Sequence, residues 1–442
     1  MKAMSETTGS PPYAPRSDSG ASRETSGLYR KIGWRILPFL MLCYMFAYLD
    51  RINIGFAMLQ MRSDIGLTDT AYGIGAGIFF VGYALFEIPS NLLFPKLGAR
   101  KTLSRIMILW GLTSASMLFV HSERSFYLVR FLLGVFEAGF APGMIFYLTY
   151  WYPRERMAHV IAILMCASPI GGILGGPVST WVMTNLAGVH GLAGWQWMFL
   201  IEGLPCVLLG AIAMWYMDDR PVDARWLSER EKSLLRSELV VAPSHHHSLR
   251  DVVTDRRVIM LALSYFCIIC GIYAVSFWLP TILKAAGTKS ILQIGFYSTL
   301  PYVAAMIGMV YFGRRSDRCK ERRWHSALTA IGGAAGLMIA AVHPGNLTLS
   351  LLSITVATGL MWGSYAVFWA MPSSYVKGDA AAGGIAYINT IGLLGGFVSP
   401  ALMGWIRDLT GSMMSGLFVI VVLLAAGALL TIANRLPADT AR

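Results

Sequence analysis

The chain alternates between long apolar runs and short polar segments. Twelve of the runs are close to the roughly 20 residues that a helix needs to cross a bilayer. They lie at approximately 36–59, 70–94, 102–120, 126–151, 157–184, 195–217, 258–284, 291–313, 326–343, 347–374, 381–406 and 412–433. A transmembrane β-barrel would instead show alternating segments of about 10 residues. The pattern therefore predicts an all-α membrane protein with twelve transmembrane helices, because a helix satisfies its own backbone hydrogen bonds in lipid.

A polar segment at 218–257 divides the twelve runs into six and six. Residues 91–101 after the second run resemble residues 313–323 after the eighth, an offset of 313 − 91 = 222. Gly-rich stretches in the fifth and eleventh runs lead to Trp181 and Trp405, an offset of 405 − 181 = 224. Two features with nearly the same offset indicate an internal duplication. Transporters are often built from such repeats, with the binding site between them. We therefore expect two six-helix pseudo-repeat bundles.

The expected domain boundaries follow from this division. Residues 1–28 are rich in Ser, Gly, Pro and Thr, which is typical of a disordered tail. The linker contains His245–His247, for which an incidental exposed tract is favoured over a metal site. The complete division is a disordered cytoplasmic tail at 1–28, an N-terminal bundle at 29–217, a cytoplasmic linker at 218–257, a C-terminal bundle at 258–434 and a cytoplasmic tail at 435–442.

Composition agrees with a membrane protein and predicts its orientation. Hydrophobic residues make up 55% of the chain and charged residues 14%, against about a quarter charged in a soluble protein. Lys and Arg are concentrated in alternate loops, at 96–105, 154–156, 218–257 and 314–323, and loops of this kind face the cytoplasm. Both termini are therefore expected in the cytoplasm. This bias explains the net charge of +12, so nucleic-acid binding is not expected.

The stretch 48–53 (YLDRIN) places two adjacent charges late in the first apolar run. A charge at membrane depth costs on the order of 3 kcal/mol, so Asp50 and Arg51 should face protein or a water-filled cavity. Counting about 1.5 Å per residue places Arg130 in the fourth run at a depth similar to that of Asp50, so the two can pair if their helices are neighbours. Glu137 lies on the same helix face as Arg130, near the midplane, with no obvious basic partner.

These groups can link substrate binding to protonation. A carboxylate in a low-dielectric cavity can load and release a proton near neutral pH. An adjacent Arg keeps that carboxylate ionised until an anion draws the Arg away, which couples the two events. A fixed buried ion pair that only holds helices together is the alternative.

Other polar residues at depth receive different interpretations. Glu87 in the second run and Glu202 in the sixth are interpreted as gating or structural groups. The second half carries no charge at depth, and its Tyr and Trp side chains are of a kind that more often packs than binds a ligand. Asn389 needs a partner, because its amide lies at mid-span. Arg51 and Arg130 form a basic pocket that suits a small carboxylate, since Arg recognises carboxylates through two hydrogen bonds.

Seven segments match the pattern of one known family. They are YLDRINIGFA at 48–57, PSNLLFPKLGARK at 89–101, RFLLGVFEAGFAPG at 130–143, YLTYWYPRERMA at 147–158, GWQWMFLIEGLP at 194–205, SFWLPTILK at 276–284 and NTIGLLGGFVSP at 389–400. The chain thereby resembles the anion:cation symporter family of the major facilitator superfamily, from about residue 30 to 430. Bacterial members that it resembles import tartrate, sugar acids such as galactonate or glucarate, phthalate or hydroxyphenylacetate together with protons.

The resemblance implies roles for individual residues. It implies proton coupling by Asp50 and Glu137 and anion binding and coupling by Arg51 and Arg130. The remaining residues that it places in the substrate site are Tyr48, Tyr83, Ser168, Trp369 and Asn389. Those that it places in the gating loops are Lys96, Arg100, Asp317 and Arg318.

Three positions depart from the family pattern. Ser168 stands where sugar-acid members can carry a glutamine, and Ala366 stands where a serine can occur. Both changes remove hydrogen-bonding capacity, which favours a dicarboxylate or an aromatic acid over a polyhydroxylated sugar acid. Pro95 replaces the usual acid of the first gating loop, whereas Asp317 keeps it in the second.

The function expected from these observations is alternating-access symport of a proton and a small organic carboxylate. The expected location is the bacterial inner membrane, as a monomer surrounded by lipid, with no cofactor or metal. The alternatives are a sugar-acid symporter, and an organic-anion exporter or uniporter on the same fold. An enzyme or a sensor is not favoured, because no nucleophile–base pair, HExxH or P-loop motif is visible and the loops are short.

Overall fold

The structure, a computed structural model, describes residues 18–239, 253–375 and 380–434. Within these ranges twelve helices are long and apolar enough to cross a membrane, as the apolar runs predicted. We call them spans 1 to 12. Their helices are Asp18–Asp64, Asp69–Leu97, Ala99–Ala115, Glu123–Glu137 with Phe140–Thr149, Arg154–Met165 with Ala167–Asn185, Gly194–Tyr216, Arg256–Ala285, Ile291–Cys319, Arg323–Val342, Leu347–Phe368 with Ala370–Tyr375, Ala380–Thr410 and Met413–Ala433.

Span 1 begins earlier than predicted. The helix starts at Asp18, so the prediction of a disordered segment at 1–28 is wrong for residues 18–28. Leu28 and Tyr29 are buried, and the ring of Tyr29 stacks on that of Tyr152 with 5.7 Å between centroids. These contacts stabilise a helical extension that the polar composition conceals. Residues 1–17, His245–His247 and 435–442 lie outside the described residues.

The helix ends confirm the internal duplication. Span 8 begins at residue 291 and span 2 at 69, and they end at 319 and 97, so both differences equal 222. Each helix is followed by a residue with positive φ, Gly98 at 83° and Lys320 at 51°. These two residues are also 222 apart, because 320 − 98 = 222. We call spans 1–6 lobe 1 and spans 7–12 lobe 2.

The linker helix Glu229–Glu238 packs against lobe 1 at the end where span 1 begins. Lys31 forms an ion pair of 2.8 Å with Glu231, and the indole of Trp226 stacks on that of Trp151 with 5.5 Å between centroids. The hydrogen bond from Lys31 lowers the pKa of Glu231. We call this end of the molecule, where span 12 also ends, the linker face, and the opposite end the distal face.

The lobes approach closely from mid-depth to the distal face, and glycines allow this approach. A Cβ on Gly55 would lie 2.7 Å from the carbonyl oxygen of Phe277 in the other lobe. A Cβ on Gly73 would collide with the carbonyl oxygen of Pro400, and one on Gly172 with the ring of Tyr302. Small residues let helices meet backbone to backbone. The distal half of the lobe interface is therefore closed.

Candidate functional site

Arg51 lies at the interface between the two lobes. Its Nη1 donates a hydrogen bond of 3.0 Å to the hydroxyl of Tyr273 in span 7, and its Nη2 donates to Oε1 of Glu137 in span 4. Arg51 is 8% exposed and Glu137 is 1% exposed. The rings of Phe79 and Tyr83 lie 5.1 and 5.7 Å from the guanidinium carbon, where they stabilise a cation. One guanidinium thus binds an acid of its own lobe and a hydroxyl of the other.

Glu137 therefore has a basic partner, which corrects the prediction that none lies at its depth. Its Oε1 is paired with Arg51, and its Oε2 is buried without a hydrogen-bond partner among the described residues. The ends of the apolar run misplace Glu137, because span 4 already begins at Glu123 and its helix breaks at Gly139, where φ is 85°. The ends of an apolar run are poor markers of where a helix lies in the bundle.

The predicted pair between Asp50 and Arg130 is also corrected. Among the described residues the two side chains form no direct ion pair. The Nε and Nη2 of Arg130 donate instead to the carbonyl oxygens of Gly75 and Ala76, at 3.2 and 3.1 Å. Residues with so little side chain leave the backbone of span 2 open to the guanidinium. Arg130 is completely buried, and its Nη1 has no hydrogen-bond partner in the described part of the chain.

Asp50 belongs to a hydrogen-bonded network inside lobe 1. Its Oδ1 accepts from the hydroxyl of Ser114 in span 3 and from Nδ2 of Asn53, at 3.2 Å for the amide. The same Nδ2 donates to Oε2 of Glu202 in span 6 at 3.0 Å. Ser179 in span 5 donates to Oε1 of Glu202 at 2.7 Å. Asn53 therefore connects two buried carboxyl groups.

Aromatic and hydroxyl groups surround Tyr48 on the side of lobe 2. The Tyr48 hydroxyl lies 3.3 Å from Oγ of Ser276. Its ring makes edge contacts with Tyr302 and Trp362, at centroid distances of 6.1 and 5.8 Å. Ser168 is buried one helical turn before Gly172, which meets the same Tyr302 ring. This wall is apolar with isolated hydroxyls, as small-molecule sites commonly are.

The other two predicted substrate residues lie beside this wall or nearer the linker face. Trp369 contacts the ring of Tyr265 at a centroid distance of 4.9 Å and is partly buried. Asn389 in span 11 donates a hydrogen bond of 3.2 Å to Oε1 of Glu87 in span 2. Glu87 lies one turn after Tyr83, so this bond joins the lobes beyond Arg51. The amide has the partner that its depth requires.

The structure does not bring the predicted gating residues together. Lys96 and Arg318 are exposed at the linker face, and Asp317 forms its ion pair with Arg322 of its own lobe, at 2.7 Å. The backbone N–H of Arg100 donates to Oδ1 of Asp219 at 2.9 Å.

A charged cluster joins the lobes at the distal face instead. Asp69 accepts from Arg407 of span 11 at 2.8 Å and from Arg62 of span 1 at 3.2 Å. Asp408 accepts from the backbone N–H and hydroxyl of Thr70, at 2.7 and 2.5 Å. These bonds attach the end of span 11 to the start of span 2. We call Arg62, Asp69, Thr70, Arg407 and Asp408 the distal rim.

Sequence reasoning missed Tyr273 and the distal rim. Tyr273 was detectable from the repeat, because 273 − 51 = 222, the same offset that relates spans 2 and 8. Gly55 and Phe277 share it, since 277 − 55 = 222. Spans 1 and 7 therefore meet at equivalent positions, as elements beside a two-fold axis must. The distal rim carries no comparable signal, because its charges lie at the ends of apolar runs. Among the described residues no group of three or more His, Cys, Asp or Glu side chains could hold a metal ion.

Residues 40–400 match the Major Facilitator Superfamily. The chain is 46% identical over 407 residues to an Agrobacterium vitis protein named "Putative tartrate transporter", covering 91% of this chain and 90% of that protein. It is 43% identical over 413 residues to "Putative metabolite transport protein NicT" of Pseudomonas putida, covering 92% and 94%. A solved D-xylose-proton symporter shares the fold, with a TM-score of 0.73, 15% identity and coverage of 92% and 99%.

Proposed function

Because this chain belongs to the major facilitator superfamily, a family of transporters and not of enzymes, we propose that it is a proton-coupled symporter of a small organic carboxylate. The observation that carries the proposal is the buried pair of Arg51 and Glu137 at the lobe interface, with Tyr273 as the neutral partner from lobe 2. A cation and an acid from lobe 1 thus meet a hydroxyl from lobe 2 at one point of the interface.

The pair provides a coupling mechanism. A substrate carboxylate that binds Nη1 and Nη2 of Arg51 together competes with Tyr273 and Glu137, because each of these nitrogens already donates a hydrogen bond to one of them. A displaced Glu137 would be a buried carboxylate without a cation, which costs several kcal/mol. Taking up a proton removes this cost. Anion binding and protonation thus favour each other, and the exchange is reciprocal.

The distribution of basic residues supports an orientation. Arg100, Arg314 and Arg323 lie at the linker face together with the linker helix. Basic loops are retained on the cytoplasmic side. We therefore propose that the linker face is cytoplasmic, and that the closed distal face is the outer side of a bacterial inner membrane.

The substrate class is narrowed by charge and by the wall around Tyr48. Arg51 suits one carboxylate, and the Tyr, Trp and Ser groups suit either an aromatic ring or a second polar group. Ser168 and Ala366 provide few long hydrogen-bonding side chains, which disfavours a sugar acid. The Agrobacterium vitis relative bears the name of tartrate, and a tartrate-like dicarboxylate is the first candidate.

Uptake into proteoliposomes with an imposed pH gradient tests the proposal. The panel is tartrate, phthalate, galactonate and 4-hydroxyphenylacetate. We expect one acid to accumulate and the accumulation to collapse with a protonophore. Equilibration without accumulation would show a uniporter, and accumulation of galactonate alone would favour the sugar-acid alternative. Export against the gradient would reverse the proposed direction.

The role of Glu137 has its own test. Glu137→Gln keeps the shape of the side chain and a hydrogen-bond acceptor but cannot exchange a proton. We expect this variant to lose proton-driven accumulation and to retain counterflow of preloaded substrate. Glu123→Gln, exposed at the distal start of span 4, is the control. Full accumulation by the Glu137 variant would refute the assignment.

A further inference from the structure

Glu202 is a buried acid that the coupling pair does not use. It is 2% exposed, and its hydrogen-bond partners, Asn53 and Ser179, both belong to lobe 1. Neither carries a charge. Glu202 therefore faces the interior of one lobe and takes no part in the contact between lobes, which argues against the gating role considered from the sequence.

The charges inside lobe 1 do not balance. Between the distal rim and Glu87, the described part of the lobe buries the acids Asp50, Glu137 and Glu202 with the bases Arg51 and Arg130. Arginine stays protonated in proteins. Arg51 is paired with Glu137, and Arg130 is the cation that acts on Asp50. Three carboxylates against two guanidiniums leave one negative charge in excess, and Glu202 is the carboxyl without a cation.

The groups that face Glu202 reinforce this conclusion. Span 1 presents Asp50 and Asn53, span 3 presents Ser114 next to Asp50, span 5 presents Ser179, and Cys206 lies one turn along span 6 itself. Asp50 is the charged neighbour, and its sign is the same as that of an ionised Glu202. An ionised carboxylate in this position would be both removed from water and repelled by the negative charge of Asp50.

We propose that Glu202 is a second proton-binding carboxyl of the transport cycle, linked to Asp50 through the amide of Asn53. This assignment rests on the proton coupling proposed above. The Nδ2 of Asn53 donates a hydrogen bond to each of the two carboxyl groups. When one carboxyl group gains a proton, its hydrogen bond with the amide weakens, and the hydrogen bond between the amide and the other carboxyl group strengthens. Oδ2 of Asp50 and Oδ1 of Asn53 are buried without hydrogen-bond partners in the described residues. Oδ2 of Asp50 can take up a proton, and Oδ1 of Asn53 can accept a hydrogen bond from a water that carries a proton between the two acids.

The number of protons carried per substrate tests the proposal. It is measured in proteoliposomes as the substrate gradient at which net flux stops under a known pH gradient. A pH difference of one unit contributes a factor of about ten to the limiting substrate gradient for each coupled proton. We expect Glu202→Gln to lower that gradient about tenfold and Glu202→Asp to restore it. Glu229→Gln, whose side chain is 90% exposed on the linker helix, is the control.

A second measurement separates this proposal from the proposed function. Infrared difference spectra of the purified protein, recorded between acidic and alkaline pH, detect the C=O stretch of a protonated carboxylic acid without any transport. We expect Glu202→Gln to remove one such band. A wild-type band pattern and an unchanged gradient in Glu202→Gln would overturn the proposal. If Glu202→Gln loses the band while the wild type shows no proton-driven accumulation, the proposed function is overturned but Glu202 is kept as a proton site.

Discussion

The two lobes repeat one arrangement of six helices, yet within the residues that the structure describes only lobe 1 carries charge in its interior. At the offset of 222 that relates spans 1 and 7, Asp50 corresponds to Ile272 and Arg51 to Tyr273. Spans 10 and 12, the counterparts of spans 4 and 6, contain no charged residue. Lobe 1 therefore holds the groups that can exchange a proton, and lobe 2 presents neutral hydroxyls and rings to them.

The difference shows how the lobes can separate at low cost. The strong interaction, between Arg51 and Glu137, lies within one lobe, and the bond from Arg51 to Tyr273 crosses to the other. A hydrogen bond of this kind contributes about 1 kcal/mol net, or somewhat more when one partner is charged, whereas separating a buried ion pair costs about 3–5 kcal/mol. An ion pair does cross between lobes at the distal rim, where water can solvate the separated charges.

The largest effect is expected from Arg51→Ala, which removes the cation that is paired with Glu137. It leaves Glu137 buried without a partner, so the free energy of unfolding should fall by about 3–5 kcal/mol at a pH where the acid is ionised. Substrate binding should be lost with it. Thermal unfolding with and without substrate measures both. Arg314→Ala, exposed at the linker face of lobe 2, is the control, and unchanged substrate affinity in Arg51→Ala would place the anion site elsewhere.

The next largest effect is expected when a side chain is added where the lobes close at the distal face. A Cβ on Gly73 would meet the backbone of Pro400, whereas one on Gly313 would meet nothing within 4 Å. Overpacking costs about 1–3 kcal/mol, so Gly73→Ala should shift the population toward a distally open form about 5- to 150-fold. Gly313→Ala should shift nothing.

Spin labels at Asn185 and Lys289 report this shift as a distance between the lobes. Both residues are exposed at the distal face, one on each lobe. Cys166 and Cys319, which are partly buried and exposed, are replaced first. Equal distance distributions in the two glycine variants would contradict the close approach at Gly73.

Much of this arrangement was predictable from the sequence, because the apolar runs and the repeat are properties of local composition. The twelve helices, the six-and-six division and the burial of Asp50, Arg51, Arg130 and Glu137 follow from them. The partners of these charges do not follow. Pairing depends on how the helices rotate and slide against each other. An error of a few residues in a helix end is enough to predict the wrong arginine as the partner of a buried acid.

The distal rim was not predictable for a different reason. Asp69, Arg407 and Asp408 lie where apolar runs end, and charges in such places are usually solvated. Only the three-dimensional contact between spans 2 and 11 makes them partners. The predicted gating loops, in contrast, match a sequence pattern, yet the distally closed structure separates them. One conformation can show contacts at only one of the two faces.

A smaller effect is expected from the ion pairs of the distal rim, and the rim contains its own control. Asp69 pairs with Arg407 across the lobes and with Arg62 within lobe 1. Its carboxylate is nearly buried while both arginines reach solvent, so each pair is worth roughly 1–2 kcal/mol, between the exposed and buried extremes. Arg407→Ala should open the distal face about 5- to 30-fold, and Arg62→Ala should open it much less. Equal shifts in the label distances would show that the crossing pair does not hold the lobes.

The smallest effect is expected from Tyr273→Phe, which removes the neutral hydroxyl that lobe 2 presents to Arg51. The ring keeps its stacking on Phe277, at a centroid distance of 5.5 Å, so the fold should be unchanged. The hydrogen bond that is lost contributes about 1 kcal/mol net, or somewhat more because Arg51 is charged, and substrate can replace it. We expect a change in apparent affinity of up to about tenfold with an unchanged number of protons per substrate. If that number fell, Tyr273 would belong to the proton-handling groups, and the division of chemistry between the lobes would not hold.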